Sequence, residues 1–278
     1  MNIKKLACIT VALSLVTSNA LSEEAVNQDT RLKTSGKNIA TAPLYGAELY
    51  SQETVQFGKF IIRMKMVSEA GVVSSFFTYD NQSWQGEGRP WREIDFETIG
   101  SSPDVLQTNL ITGNLAKRIH SEKTTNVAAI DSFQTYTLEW TPDAITWKVN
   151  DDIVRHELAI DSKQVRDMAD TPQTYRSNIW ISEVIDWVGE FDEKQLPKYQ
   201  VIDWIEFYQY EPNNSFSLKW RDDFNDFDNK RWGKGDWGFP SNMVTFSPDN
   251  IQVIDGELVL GLTRAKAGID IKHYKSTK

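Results

Sequence analysis

Along most of the chain the apolar positions come in short runs that alternate with polar ones. Runs rich in β-branched and aromatic residues, "GKFIIRMKMV", "GVVSSFFTY", "FQTYTLEW", "AITWKVN", "IVRHEL" and "YQVIDWIEFYQY", are cut by turn residues. Successive side chains of an extended chain fall on opposite faces, so the alternation in "YTLEW" and "ITWKV" marks strands with one buried face. "KVNDDIVR" reads as a tight hairpin with Asp151 and Asp152 near its turn. "DSKQVRDMAD" is the one stretch with the character of a short helix. Strands at this spacing with so little helix predict an all-β fold, an antiparallel sandwich.

"EPNNS", Glu211 to Ser215, reads as an internal linker because Pro212 and two asparagines interrupt the pattern. Strand-like runs then resume with "FSLKWRDDF", "MVTFSPDNIQVI" and "GELVLGLT". A block of about 50 residues is small for an independent all-β domain, so it is expected to complete the sheets of the first block. The expected single domain covers residues 43–264, with 43–210 as its main block and 216–264 as its second. From Ala265 to Lys278 the pattern fades into what reads as a frayed tail.

The N-terminus has a different character. Lys4 and Lys5 precede an apolar run from Leu6 to Val16 and then small residues, the layout of a secretory signal peptide over residues 1–22. The run is too short to span a bilayer. Residues 23–42 are polar and patternless, a flexible arm by composition. The single cysteine, Cys8, lies in the leader, so a mature secreted chain would hold neither disulfide nor thiolate chemistry. The formal net charge of −9 disfavours nucleic acid or an anionic membrane as partner.

Chemistry concentrates in "WREIDFETIG", Trp91 to Gly100. Glu93, Asp95 and Glu97 occupy alternate positions with Ile94 and Phe96 between them, so on a strand the three acids share one face. At a rise of about 3.3 Å per residue the outer Cα atoms stand about 13 Å apart, and side chains leaning together bring the carboxyls to about 5–6 Å. That is the spacing of a retaining glycosidase, in which one carboxylate attacks and the other donates a proton. Crowding raises at least one pKa, keeping one Glu protonated at neutral pH. A solvated acidic face and a calcium site gather carboxylates too. Three histidines without metal-ligand spacing and the absence of a G-x-S-x-G elbow leave other catalytic routes poorly supplied. The ten tryptophans, Trp91 among them, suit a sugar ligand.

"EIDFE" within "RPWREIDFETIG" resembles the E-x-D-x-E signature of glycoside hydrolase family 16, specifically the lichenases. The resemblance runs from about Tyr45 to Arg264 through "GAELYSQETVQFGKFIIRMKM", "LQTNLITG", "TYTLEWTPD" and "DDFNDFDNKRWGKGDW". In most lichenases the segment similar to the last of these stands before the catalytic strand. Here it follows "EPNNS", the order of the naturally circularly permuted type. The resemblance implies one jelly roll, with Glu93 as nucleophile, Glu97 as general acid/base and Asp95 assisting between them. It implies substrate contacts at Phe77, Tyr79, Asn81, Trp91, Gln107, Asn109, Arg176, Asn178, Trp180, Lys234 and Trp237. Trp140, Trp147, Trp204 and Trp220 are expected in the core.

The family's structural calcium would map to Asp203, Asp223 and Gly256, the latter two through backbone carbonyls; no cofactor enters the chemistry. Thr98, Gly238 and Arg92 depart from the family pattern and bear on subsite preference. The implied protein is a secreted, monomeric endo-β-glucanase cleaving β-1,4 bonds of mixed-linkage β-glucan with retention. Laminarinases, agarases and carrageenases carry a longer E-x-D-x-x-E, and xyloglucan transglycosylases a cysteine-bearing extension, neither of which is in this chain. A non-catalytic carbohydrate-binding sandwich is the alternative from another class, and it would not need all three acids.

Overall fold

The computed structural model describes residues 42–86 and 88–278. The expected signal peptide, and the expected arm up to residue 41, lie outside the described residues. The strands, in chain order, are β1 (Leu44–Ser51), β2 (Gly58–Lys65), β3 (Val72–Tyr79), β4 (Glu93–Ile99), β5 (Val105–Asn114), β6 (Lys117–Asn126), β7 (Gln134–Trp140), β8 (Ala144–Val149) and β9 (Asp152–Leu158). The short helix α1 (Lys163–Met168), β10 (Thr174–Ile181), the helical turn α2 (Ile185–Val188) and the long β11 (Lys198–Tyr210) follow. Then come β12 (Phe216–Asp222), β13 (Trp232–Lys234), β14 (Thr245–Phe246), β15 (Ile251–Ile254), β16 (Glu257–Arg264) and a terminal helix α3 (Ile271–Ser276).

Two layers result. One runs β6-β5-β4-β3-β10-β1, with β13 added beside β1. The other runs β16-β11-β2-β7-β8-β9, with β15 on β16 and β12 on β11. Leu44 and Tyr45 of β1 pair with Arg264 and Thr263 of β16, so the layers are continuous at one side. Every pairing is antiparallel except the short β1–β14 contact. The block after residue 215 thus contributes strands to both layers, as its length demanded.

Local sequence accounts for most of this. In β2, Phe60, Ile62 and Met64 are buried and the residues between them are half-buried. The β8–β9 turn has positive φ at Asn150 (50°) and Asp151 (71°), the backbone of a primed hairpin turn, which asparagine and aspartate tolerate. Residues 211–215, the expected internal linker, form a hairpin loop closed by Glu211 N–H donating to the Ser215 carbonyl at 2.9 Å. Helix α1 forms where "DSKQVRDMAD" placed it, with the Ser162 hydroxyl capping Val165 N–H. Strand β6, "KRIHSEKTTN", is almost wholly exposed, and an edge strand without an apolar face leaves no period to read.

Two expectations are corrected. The segment after Ala265 does not fray. The Asp270 carboxylate accepts from Lys272 and His273 N–H at 3.0 and 3.1 Å and starts α3. Tyr274, 3% exposed, then packs with Ile269 over Tyr199, Val201 and Val259 on the outer face of the second layer. Those outward apolar residues need a cover, and the tail supplies it. Trp204 is not in the core either: it lies half-buried under the Arg221 guanidinium, 4.3 Å from its ring. Trp140 and Trp147 are in the core, and Trp220 packs partly buried against it.

Polar bridges cross the sandwich directly behind the acidic strand. Trp147 Nε1 on β8 donates to the Asp95 carbonyl at 3.0 Å. Gln200 on β11, fully buried, donates to the Ser75 carbonyl (3.0 Å) and Ser177 Oγ (2.7 Å) and accepts from Ser74 Oγ (2.9 Å). Arg155 on β9 donates to the Thr108 and Ser121 carbonyls at 3.0 and 2.8 Å. Buried donors of this kind are costly to leave unpaired, so these bonds hold the two layers in one register.

The docking of α3 is testable. Tyr274→Ala removes a buried aromatic ring and should lower the unfolding free energy by about 3 kcal/mol in a urea titration, whereas a frayed tail would give no change.

Candidate active site

The register of β4 assembles the site. Glu93 lies between Tyr79 of β3 and Ile111 of β5, Asp95 between Phe77 and Asn109, and Glu97 between Ser75 and Gln107. On the far side of β3, Arg176 stands opposite Phe77 and Asn178 opposite Ser75. Glu48 and Tyr50 of β1 stand opposite Asn178 and Arg176. All these residues share one face, because directly paired residues point the same way. Ile94 and Phe96 point the other way and are fully buried in the core. The acids therefore cannot turn out into water without pulling that apolar pair from the sandwich.

The two outer acids are held by different donors. Trp91 Nε1 donates to Glu93 Oε2 at 2.6 Å, and Gln107 Nε2 donates to Glu97 Oε1 at 2.9 Å. Asp95 Oδ2 is buried and has no partner among the described residues. Burial raises Glu93 to about 7, opposed by the Trp91 N–H and by the Arg118 charge. Burial, and then the Glu93 charge, raise Glu97 to about 8, opposed by the Gln107 amide. Asp95 is pushed well above the carboxylate range by burial and by both neighbours. Full ionisation of the trio near neutral pH is opposed, because burial raises all three carboxyls and the Glu93 charge raises both Asp95 and Glu97.

Around them lie most of the residues expected to touch substrate. Arg176 is ion-paired with Glu48, bonded to Asn81 Oδ1, and lies 5.3 Å from the Tyr79 ring and 5.6 Å from that of Trp237. Asn178 donates to Glu48 Oε2 (3.3 Å) and accepts from Ser75 Oγ (2.6 Å). Trp237 packs against Tyr50 at 5.3 Å, and Trp180 against Phe239 at 4.9 Å and Trp187 at 6.1 Å. Asn109 shares the acids' face, but its amide engages Ser121 N–H (3.1 Å) and His120 (3.3 Å) of β6.

Lys234 does not join them. It pairs with Leu49, a core residue, so its side chain leaves the cleft face, and Nζ donates to the Ile251 carbonyl at 2.7 Å. Arg92, next to Glu93 in sequence, also points away: it binds the Asp170 carboxylate at 2.9 and 2.6 Å. Thr98 faces the core, where Oγ1 donates to the Val67 carbonyl at 2.6 Å. A Cβ on Gly238 would meet only the Val244 carbonyl oxygen at 3.8 Å, so the space beside Trp237 is open.

Sequence reasoning missed Glu48, Tyr50, Arg118 and Trp187. The first two alternate with buried Leu49 in "GAELYS", a period-two signal like that of the acids. Arg118 stacks 4.8 Å over Trp91 from the exposed β6, and Trp187 arrives on a short turn; neither position has a pattern to betray it.

The three calcium candidates come from segments that meet where β11 changes partner. Ile202 is its last residue paired with β16 and Ile205 its first with β12, so Asp203 sits at the gap. Asp223 directly follows β12, and Gly256, at φ 79°, precedes β16. Arg63 Nε lies 3.2 Å from Asp203 Oδ2, and Arg221 holds the Asp223 carboxylate. Among the described residues no group of three or more His, Cys, Asp or Glu is arranged to hold a metal. One carboxylate with two carbonyls remains, a hard-oxygen set of the kind calcium accepts, with open space where a Gly256 Cβ would be.

The model of "Glycosyl hydrolases family 16" matches residues 17–206. The "Beta-glucanase" of Fibrobacter succinogenes is 44% identical over 234 residues, 82% of this chain and 66% of that protein, so the chain spans about two thirds of its length. That of Brevibacillus brevis is 33% identical over 189 residues, 68% of each chain. Among solved structures, Bacillus licheniformis beta-glucanase is similar at a TM-score of 0.49 and 29% identity, covering 58% of this chain and 70% of that one. With two thirds of its length matched by the family model and the three acids in one buried row, the chain belongs to family 16 of the glycosyl hydrolases.

Proposed function

We propose that the protein is a secreted endo-β-glucanase that hydrolyses β-1,4 bonds of mixed-linkage β-glucan with retention of configuration. The observation that carries the reading is the unequal pair of outer acids, Glu93 anchored by Trp91 and Glu97 by Gln107, on one face of β4. Relatives named beta-glucanase support the substrate class. The leader-like N-terminus supports secretion. The block after the hairpin at 211–215 supports the circularly permuted order, since it supplies strands to both layers.

In the first step Glu97 gives its proton to the glycosidic oxygen as the bond to the anomeric carbon breaks and a Glu93 oxygen bonds to that carbon. In the second, ionised Glu97 takes a proton from water, whose oxygen displaces Glu93. Asp95 Oδ2, buried between them without a partner among the described residues, is placed to donate to Glu93 when the carboxyl is protonated. Arg176, Asn178, Trp180 and Trp237 line the face along which the chain of sugars lies. Calcium, where bound, would be held by Asp203, Asp223 and Gly256 and would tie β11 to the second block.

Incubation with lichenan, laminarin and xyloglucan should release reducing ends from lichenan, with the first product of the β configuration by NMR. Glu97→Gln should cut that rate by about 10²–10⁴-fold; inverted product, or release from laminarin alone, would overturn the reading.

The activity needs ionised Glu93 and protonated Glu97, so kcat/KM should rise through a pH of about 7 and fall through about 8. Stability has its own sign. Both folded carboxyls lie above their ordinary value of 4.5, so the stability they carry is complete below 4.5 and is lost as pH rises through about 7 and 8. The thermal midpoint should therefore drop between pH 5 and 9 (roughly the span of these titrations), and Glu97→Gln should flatten the drop.

Calcium should raise the thermal midpoint of the wild type and not that of Asp203→Asn, while leaving the initial rate on lichenan unchanged. An equal midpoint with calcium and with a chelator would remove the ion from the account.

A further inference from the structure

We infer that Trp187 is a positioning residue, whose indole N–H orients the Gln107 amide and so selects the Glu97 oxygen that carries the catalytic proton. This rests on the role proposed above for Glu97 as general acid.

Trp187 lies outside the sheet that holds the acids, on the helical turn α2. That turn is fixed from several sides. The Trp187 carbonyl accepts from Ser101 Oγ at 2.7 Å, Val188 is fully buried, and the Val188 carbonyl accepts from Gly71 N–H at 2.7 Å. The Trp187 ring stands 6.1 Å from that of Trp180. From this position Nε1 donates to Gln107 Oε1 at 3.3 Å, while Gln107 Nε2 donates to Glu97 Oε1 at 2.9 Å.

An indole N–H can only donate, whereas an amide presents an acceptor at one end and donors at the other. The Gln107 oxygen must therefore face Trp187, and its NH2 must face Glu97. With Glu97 Oε1 occupied as an acceptor, the proton resides on Oε2. That proton passes to the glycosidic oxygen as the bond to the anomeric carbon breaks, and the electron pair of that bond leaves with the oxygen.

The alternative orientation shows what Trp187 prevents. With the amide reversed, its NH2 would confront the indole N–H, donor against donor. Its oxygen would face Glu97 Oε1 and could accept the acid's proton itself. A proton spent in that internal bond is unavailable to the substrate. The Trp187 N–H makes the unproductive arrangement unfavourable before any sugar arrives.

A leaving group that needs no proton separates this role from simple packing. Trp187→Phe should lower kcat/KM on lichenan about ten-fold. On a dinitrophenyl β-glycoside of a mixed-linkage glucotriose, kcat/KM should change less than about two-fold, since its leaving group departs without general-acid help. The basic limb of the lichenan profile should move to higher pH, because the Gln107 amide lowers the Glu97 pKa. Trp187→Met should show the same split, and Trp187→Phe placed on Gln107→Met should add no further selective loss. Equal losses on both substrates, or an unmoved basic limb, would overturn the positioning role alone. A wild type inactive on lichenan, or one indifferent to Glu97→Gln, would overturn the proposed function and this inference with it.

Discussion

The structure depends on one constraint: a strand cannot turn one set of alternate residues without turning the other. Ile94 and Phe96 are fully buried, and pulling them into water would forfeit roughly 2 kcal/mol each or more. Glu93, Asp95 and Glu97 therefore stay on the opposite face, where burial opposes their ionisation. Hydrophobic burial on one side of β4 holds the electrostatic strain on the other. The bridges from Trp147, Gln200 and Arg155 act on the same strand and its neighbours from behind, so the backbone has little freedom to relieve that strain.

The strain is directed rather than uniform. Glu93 receives a side-chain donor from Trp91 and Glu97 one from Gln107, and the central Asp95 receives none among the described residues. A donor favours the ionised form, so the sites separate in affinity for protons. The Arg118 charge above Trp91 draws Glu93 further down, whereas Glu122 pushes Glu97 up. Both flanking influences come from the edge of the sheet. An exposed strand without apolar pattern thus tunes the buried centre.

Period two made the sandwich and the acidic row legible, because both are properties of alternation along single strands. The same rule would have found Glu48 and Tyr50 beside buried Leu49. Lys234 lies beyond that rule, because its neighbour across the strand pair is that same Leu49. What alternation cannot supply is the partner across a strand pair, and this is why Lys234 was misplaced. Arg118 and Trp187 were invisible for a related reason. One lies on an edge strand without a buried face, and the other on a four-residue turn. The tail was misread because the apolar surface it covers belongs to outward residues of β11 and β16. Those are distant in sequence and visible only once the second layer is assembled.

The second block ties these levels together. Its strand β16 lies between β1, which carries Glu48, and β11, which carries Gln200. Glu48 holds Arg176 and Asn178 on the cleft face, and Gln200 holds Ser75 and Ser177 beneath it. A chain cut before residue 216 would retain the acids, yet it would lose the strand joining the two layers at β1. The pairing of acids with donors is therefore a property of the completed sandwich. What that pairing requires is that β16 fills its place between β1 and β11.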